Sequence, residues 1–206
     1  MWSTTPFTRM ELSLDQVAPP KPSRQPRLDA ERNRAKILAV AKRILADDGA
    51  ATSLNQVARA AGVGIGTLYR HFPTRDALIE AAYRNQVDSL IEAAGRLTAR
   101  DGVSALREWL SLFVEFLNTK HGMAEALASL LDGPDALYSG TPSRLALPLT
   151  ALVERAVASG NADIGIEPLD LLRAIAAVAH PRHGAKSTNA ADRMVDLLIR
   201  GLVTPR

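Results

Sequence analysis

Apolar positions recur every three or four residues along most of this chain, and nowhere do apolar and polar residues alternate as in a half-buried strand. The period predicts helices throughout. The first runs from Asp29 as cap to Gly49, with Ile37, Leu38, Ala41, Ile44 and Leu45 on one stripe and Arg32, Arg34, Lys36, Lys42 and Arg43 around the rest. Ser53 caps a short second helix, with Gln56 three residues on completing a capping box. Leu54, Val57, Ala58 and Ala61 form its apolar face, and Gly62 ends it by tolerating the left-handed backbone of a tight turn. A third run, Ile65 to His71, turns Leu68 and Phe72 inward and Thr67, Tyr69, Arg70 and His71 outward. Pro73 closes it, and Thr74 caps the next helix.

The fourth helix is read from Thr74 to Arg100, with Leu78, Tyr83, Val87, Leu90, Ile91, Ala94 and Leu97 in register. About 25 residues at roughly 1.5 Å each make a rod of about 37 Å. Val103 to Lys120 carries two stripes, one of Val103, Leu106, Leu110, Phe113 and Leu117 and one of Trp109, Leu112 and Phe116, so it belongs at the centre of the body. A shorter helix spans Gly122 to Leu131, residues 132–142 read as a loop, and Thr141 with Pro142 opens another helix ending near Gly160. Pro148 should kink that helix or delay its start. The last two are placed at Pro168 to His180 and Thr188 to Leu202. Residues 1–28, with five of the twelve prolines and no periodicity, read as a disordered extension. The expected fold is all-α, about nine helices.

Two short helices joined by a glycine turn, the second with a polar outer face, make a helix-turn-helix. The segment AGVGIGTLYRHFPTRDALI resembles the signature of the TetR family of bacterial transcriptional repressors, and the match extends over roughly residues 30–80. Two positions depart from the commonest pattern: Gly64 stands where serine is frequent, removing one phosphate-facing hydroxyl, and Ile65 stands where lysine, arginine or proline is frequent. The resemblance implies a homeodomain-like three-helix DNA-binding domain over residues 29–76 and a helical ligand-binding and dimerisation domain over residues 77–206. It also implies that the fourth helix transmits ligand binding to the head.

Composition agrees with such a division. Residues 1–75 carry 12 Lys+Arg against 6 Asp+Glu, whereas residues 76–206 carry 13 against 16, so a basic head sits on a slightly acidic body. That asymmetry fits a nucleic-acid contact confined to one end. Lys21, Arg24 and Arg27 precede the first helix and can reach a minor groove, neutralise phosphate, or simply stay solvated. Zero cysteines exclude disulfides and thiolate metal sites. No apolar run has the length of a membrane span, and the first twenty residues lack the apolar block of a secretory signal. The expectation is a cytoplasmic protein associated with the bacterial nucleoid.

Catalytic and metal chemistry find no footing. GVGIG at 62–66 follows a helix and lacks the Lys-Ser or Lys-Thr of a phosphate loop. The four histidines, His71, His121, His180 and His183, form no HExxH, and no GxSxG elbow nominates a nucleophile. Neither cofactor nor metal is expected, and no enzyme activity.

The resemblance assigns phosphate or groove contacts to Thr52, Ser53, Thr67, Tyr69, His71 and Arg75, with Gly64 in the turn. Tyr69 can equally pack with a wet hydroxyl, and His71 can serve as a helix end. Ile65, Gly66 and Arg70 are the candidates for base edges, Ile65 toward a thymine methyl and Arg70 toward a guanine. In the body, Trp109, Phe113, Phe116, Met123, Leu127 and Tyr138 would supply an apolar pocket for a small-molecule effector, although aromatic stripes at this spacing also serve as ordinary core. In the family the two last helices pair with their symmetry mates. That use would put Leu172, Ile175, Ala176, Val195, Leu198, Ile199 and Leu202 at a dimer interface, where the sequence alone reads them equally as core. The expected function is a homodimeric repressor released from a palindromic operator in double-stranded DNA by a ligand. A helical small-molecule-binding protein or enzyme with a vestigial helix-turn-helix is the alternative.

Overall fold

Helix α1, Arg24–Asp48, begins before Asp29, the expected cap. The computed structural model describes residues 24–130, 135–160, 164–178 and 187–202. Pro26 falls in the first turn of α1, where no intrahelical donor is needed, so it opens the helix instead of excluding it. The rest of the proposed extension, Lys21 included, lies outside the described residues, as do the side chains of Arg24 and Arg27. After a 3-10 turn at Gly49–Ala51 come α2, Leu54–Ala61, and α3, Ile65–His71, both as expected. The Ser53 hydroxyl accepts from the Gln56 amide at 3.2 Å, but the return half of the capping box is absent. Gln56 Nε2 donates instead to Asp48 Oδ2 at 2.6 Å, tying α2 back to the end of α1. Gly62 takes φ 67°, a conformation that costs a side chain dearly, and its N–H donates to the carbonyls of Ala58 and Arg59.

Helix α4, Arg75–Arg96, starts where Thr74 Oγ1 accepts from the Ala77 amide at 3.0 Å. Its 22 residues span about 33 Å, shorter than expected because a 3-10 turn at Leu97–Ala99 finishes it. The body continues with α5 (Gly102–Gly122), α6 (Ala124–Ala128), α7 (Asp135–Tyr138), α8 (Thr141–Ala158), α9 (Pro168–Val178) and α10 (Ser187–Leu202). Two expectations are corrected. The stretch 132–142 is not all loop, since α7 forms inside it, and Pro148 does not delay α8, which starts at Thr141 and runs through it. The donor missing at Pro148 belongs to the carbonyl of Arg144, an exposed residue where water can replace it. The described residues hold ten α-helices and no strand.

Helix α5 is central, packed on α1, α4, α8 and α10. One buried core therefore runs from head to body, through Ile37, Leu45, Leu68 and Phe72 to Trp109 and Leu149. Where α5 ends against α1 the backbones nearly touch: a Cβ on Gly122 would stand 2.6 Å from the Ala46 carbonyl oxygen. At the other end of α5, Arg155 of α8 donates to the carbonyls of Thr98 and Arg100 at 2.9 and 3.0 Å, fastening the turn that follows α4. Among the described residues no helix is long and apolar enough to cross a membrane.

Candidate DNA interface and ligand cavity

Helix α3 is held by what it buries. Leu68 and the adjoining Phe72 are enclosed by the head, and His71 lies half-buried with its ring centroid 6.2 Å from that of Phe72. Burial of that stripe forces the opposite face outward. Ile65 is 38% exposed and Tyr69 49%, with Gly66 and Arg70 beside them. Positions 65, 66, 69 and 70 lie on one side of a helix by its period of 3.6. The Cβ positions of Gly64 and Gly66 face open space, so the backbone there is accessible to another molecule. Arg70 Nε donates to the Gly66 carbonyl at 3.4 Å, laying its guanidinium along the exposed face. Arg34 of α1 adds a cation beside the end of α3, 5.3 Å from the centre of the Phe72 ring. The sequence placed Arg34 only among the charges around the apolar stripe of the first helix, because its neighbour in space, Phe72, is 38 positions away.

Two of the expected DNA contacts are engaged within the protein. Thr52 is only 4% exposed, and its hydroxyl points into the head to donate to the Ile44 carbonyl at 3.4 Å. Arg75 is half-buried, and its guanidinium turns toward the body. Nε donates to the Thr52 carbonyl (3.1 Å), Nη2 to those of Ala50 (2.9 Å) and Gly49 (3.5 Å), and Nη1 to Ser129 Oγ just after α6. The 3-10 turn before Thr52 exposes carbonyls that need donors, and a five-donor planar fork satisfies several at once. Ser53 is exposed, its hydroxyl engaged as the cap of α2, and Thr67 is half-buried.

In the body a cavity of about 220 Å³ lies among α4, α5, α7, α8 and α9. Phe113, Phe116 and Tyr138 line it as expected. Trp109, Met123 and Leu127 do not: all three are wholly enclosed in the core. Trp109 stacks on Phe113 at 5.9 Å and donates to the Leu90 carbonyl at 2.9 Å, while Met123 Sδ accepts from Gln86 Nε2 at 3.4 Å. The sequence pattern marks all six as apolar but not which side of a doubly striped helix meets a void.

Tyr83, Lys120, Thr141 and Arg173 are the polar lining that sequence reasoning missed. Tyr83 donates to Thr141 Oγ1 at 3.1 Å and packs its ring 5.3 Å from Tyr138. Burial raises the Tyr83 pKa, and burial with the nearby Tyr83 and Asp135 pushes Tyr138 up to about 12, so both phenols stay protonated at neutral pH. Leu172 and Ala176, expected at a dimer interface, line this cavity. Ile175 and Val195 are buried within the protomer, and Leu198, half-buried, packs on the same core. The side chains of Ile199 and Leu202 lie outside the described residues. Among the described residues no three His, Asp or Glu converge to hold a metal; His180 and His183 fall outside them.

A short exposed helix presented by a three-helix head defines a helix-turn-helix DNA-binding protein. Residues 37–82 match the family model described as bacterial regulatory proteins, tetR family. Residues 101–204 match the transcriptional regulator SbtR-like C-terminal domain. The chain belongs to the TetR family of transcriptional regulators. It is similar to the TetR transcriptional regulator SCO0520 from Streptomyces coelicolor, with 39% identity, a TM-score of 0.77, and coverage of 84% of this chain and 99% of that one. A TetR regulatory protein from Mycobacterium vanbaalenii shows 27% identity and a TM-score of 0.71, over 86% and 99% of the two chains. The HTH-type transcriptional regulator SAR0097 of Staphylococcus aureus is 36% identical over 72 residues, 34% of this chain. The match spans 38% of that curated relative's length.

Proposed function

We propose that the protein is a homodimeric repressor that a small molecule releases from its operator. One observation carries this reading: Tyr83, on the cavity wall, and Arg75, at the junction with the head, lie on the same helix α4. Eight residues at roughly 1.5 Å each separate them by about 12 Å. A molecule that displaces Tyr83 therefore acts on the element that begins directly after the recognition helix. To move a 1:99 population to 99:1 it must favour the released conformer by about 5.5 kcal/mol.

In this reading residues 29–76 form the reader, preceded by a helical start at Arg24, and residues 77–206 form the sensing and pairing body. Ile65, Gly66, Tyr69 and Arg70 enter the major groove, with Ser53, Gly64, Thr67 and His71 at its edge. So short a helix reads few base pairs, so two copies on a palindrome are required, about 34–36 Å or a multiple apart. Operator affinity is measured on the duplex upstream of the protein's own gene against random duplex. Tyr69→Ala is expected to weaken specific binding about tenfold to a hundredfold while dimer mass and melting temperature stay unchanged. Equal affinity of Tyr69→Ala and the native protein would remove α3 from the interface.

The pairing surface is reassigned to the outward faces of the last two helices, Ala174 and Ala177 on α9 with Met194, Leu197 and Gly201 on α10. Leu197 is 59% exposed in the protomer, and small neighbours permit close helix approach. Leu197→Glu is expected to halve the mass seen by sedimentation and to abolish tight operator binding. An intact dimer would place the interface elsewhere.

A further inference from the structure

We propose that the cavity takes a small aromatic monocarboxylate, its ring among Phe113, Phe116 and Tyr83 and its carboxylate on Lys120. The proposal rests on the reading of this cavity as the effector site and names the chemistry of its ligand. The wall is aromatic and aliphatic, with Tyr83 and Phe116 at 5.8 Å and Phe113 and Phe116 at 6.1 Å between ring centres. At these spacings the rings touch one another, so Phe113, Phe116 and Tyr83 form one continuous aromatic wall on which another flat ring can stack or pack edge-on. At about 220 Å³ the space is below the roughly 300–1,000 Å³ of drug-sized sites, which suits a molecule of one ring.

Charge decides the rest. No Asp or Glu is among the lining residues, whereas Lys120 and Arg173 are. Arg173 is already paired with Asp170 at 2.8 Å, on the solvent side. Lys120 has no carboxylate partner among the described residues; its Nζ sits 3.9 Å from the centre of the Tyr138 ring. That ammonium is half-buried, and burial lowers its pKa, so an anion beside it would restore the lost stabilisation of its charge. Protonated Tyr138 and the Tyr83–Thr141 pair supply neutral hydroxyls that do not repel a carboxylate. A cationic ligand would meet the Lys120 ammonium and find no acid among the lining residues.

The test is calorimetric titration of the full chain with benzoate and with benzamide, its neutral isostere, at millimolar concentrations. Native protein is expected to bind benzoate at least about tenfold more tightly than benzamide, as a charge-assisted contact requires. Lys120→Met keeps the stem and loses that preference, benzamide affinity remaining the same; Lys120→Arg retains it. Equal binding of the two compounds, no binding of benzoate, or a preference that survives Lys120→Met overturns the proposal. A second measurement monitors operator release. Charge-selective binding without release supports the ligand class and overturns only the reading of the cavity as an effector site.

Discussion

Arg75→Met is expected to lower the melting temperature while leaving the salt dependence of DNA binding intact. The guanidinium bridges three carbonyls around the 3-10 turn and one hydroxyl after α6, so it joins head to body from the first turn of α4. Hydrogen bonds to charged groups contribute about 1.5–3 kcal/mol when buried, and partial exposure reduces the set to roughly 1–3 kcal/mol in all. For a chain of this size each kcal/mol moves the midpoint by about 2–4 °C, so the loss is roughly 2–12 °C by calorimetry. A phosphate contact behaves differently: its removal flattens the salt slope by about 0.9 per phosphate and leaves stability unchanged. Arg75→Lys should recover little, because an ammonium cannot reproduce the planar fork. A flattened slope at unaltered melting temperature would return Arg75 to the DNA surface.

Trp109→Ala is expected to be the most damaging single change in the body. The indole is fully enclosed, stacked on Phe113, and its N–H is held by the Leu90 carbonyl of α4. Truncating a buried tryptophan costs about 3–5 kcal/mol through lost contacts and the cavity left behind. Against a total of about 5–15 kcal/mol that is enough to leave the protein partly unfolded near physiological temperature. Thermal denaturation tracked by circular dichroism should show a drop of roughly 6–20 °C. Trp109→Phe, which keeps a ring but loses the donor, should fall between. A small effect of Trp109→Ala would mean that the space at the α4–α5 contact refills, and that the indole is not the element that sets their separation.

The helix-turn-helix was legible because each of its determinants is local. Ser53 and Thr74 cap helices through amides three residues away, and Gly62 supplies one positive φ. Leu68 and Phe72 define the inner side of α3 and so its outer side. The family resemblance added which residues are expected to face DNA, and at two of those positions the structure shows internal partners that the sequence did not reveal. A hydroxyl at a helix start reads as exposed from sequence, yet Thr52 donates to Ile44, eight positions back, in the head's interior. The fate of Arg75 depends on Ser129, 54 positions later, which no period or motif connects to it. Pro26, read as part of an irregular extension, and Pro148, read as able to delay a helix start, both lie inside helices, because a proline stops a helix only where its missing donor matters.

By itself, then, the amino-acid order determined the helices, the glycine turn, the basic head and the exposed face of α3, because those depend on neighbours within one or two turns. The tertiary structure decided which apolar side chains close the core and which open on a cavity. It placed Leu172 and Ala176 on the cavity wall, and enclosed Trp109 while leaving Phe113 and Phe116 at the wall. Those outcomes depend on how far apart neighbouring helices sit, and that distance is set by contacts such as Gly122 against Ala46, made between residues remote in the chain.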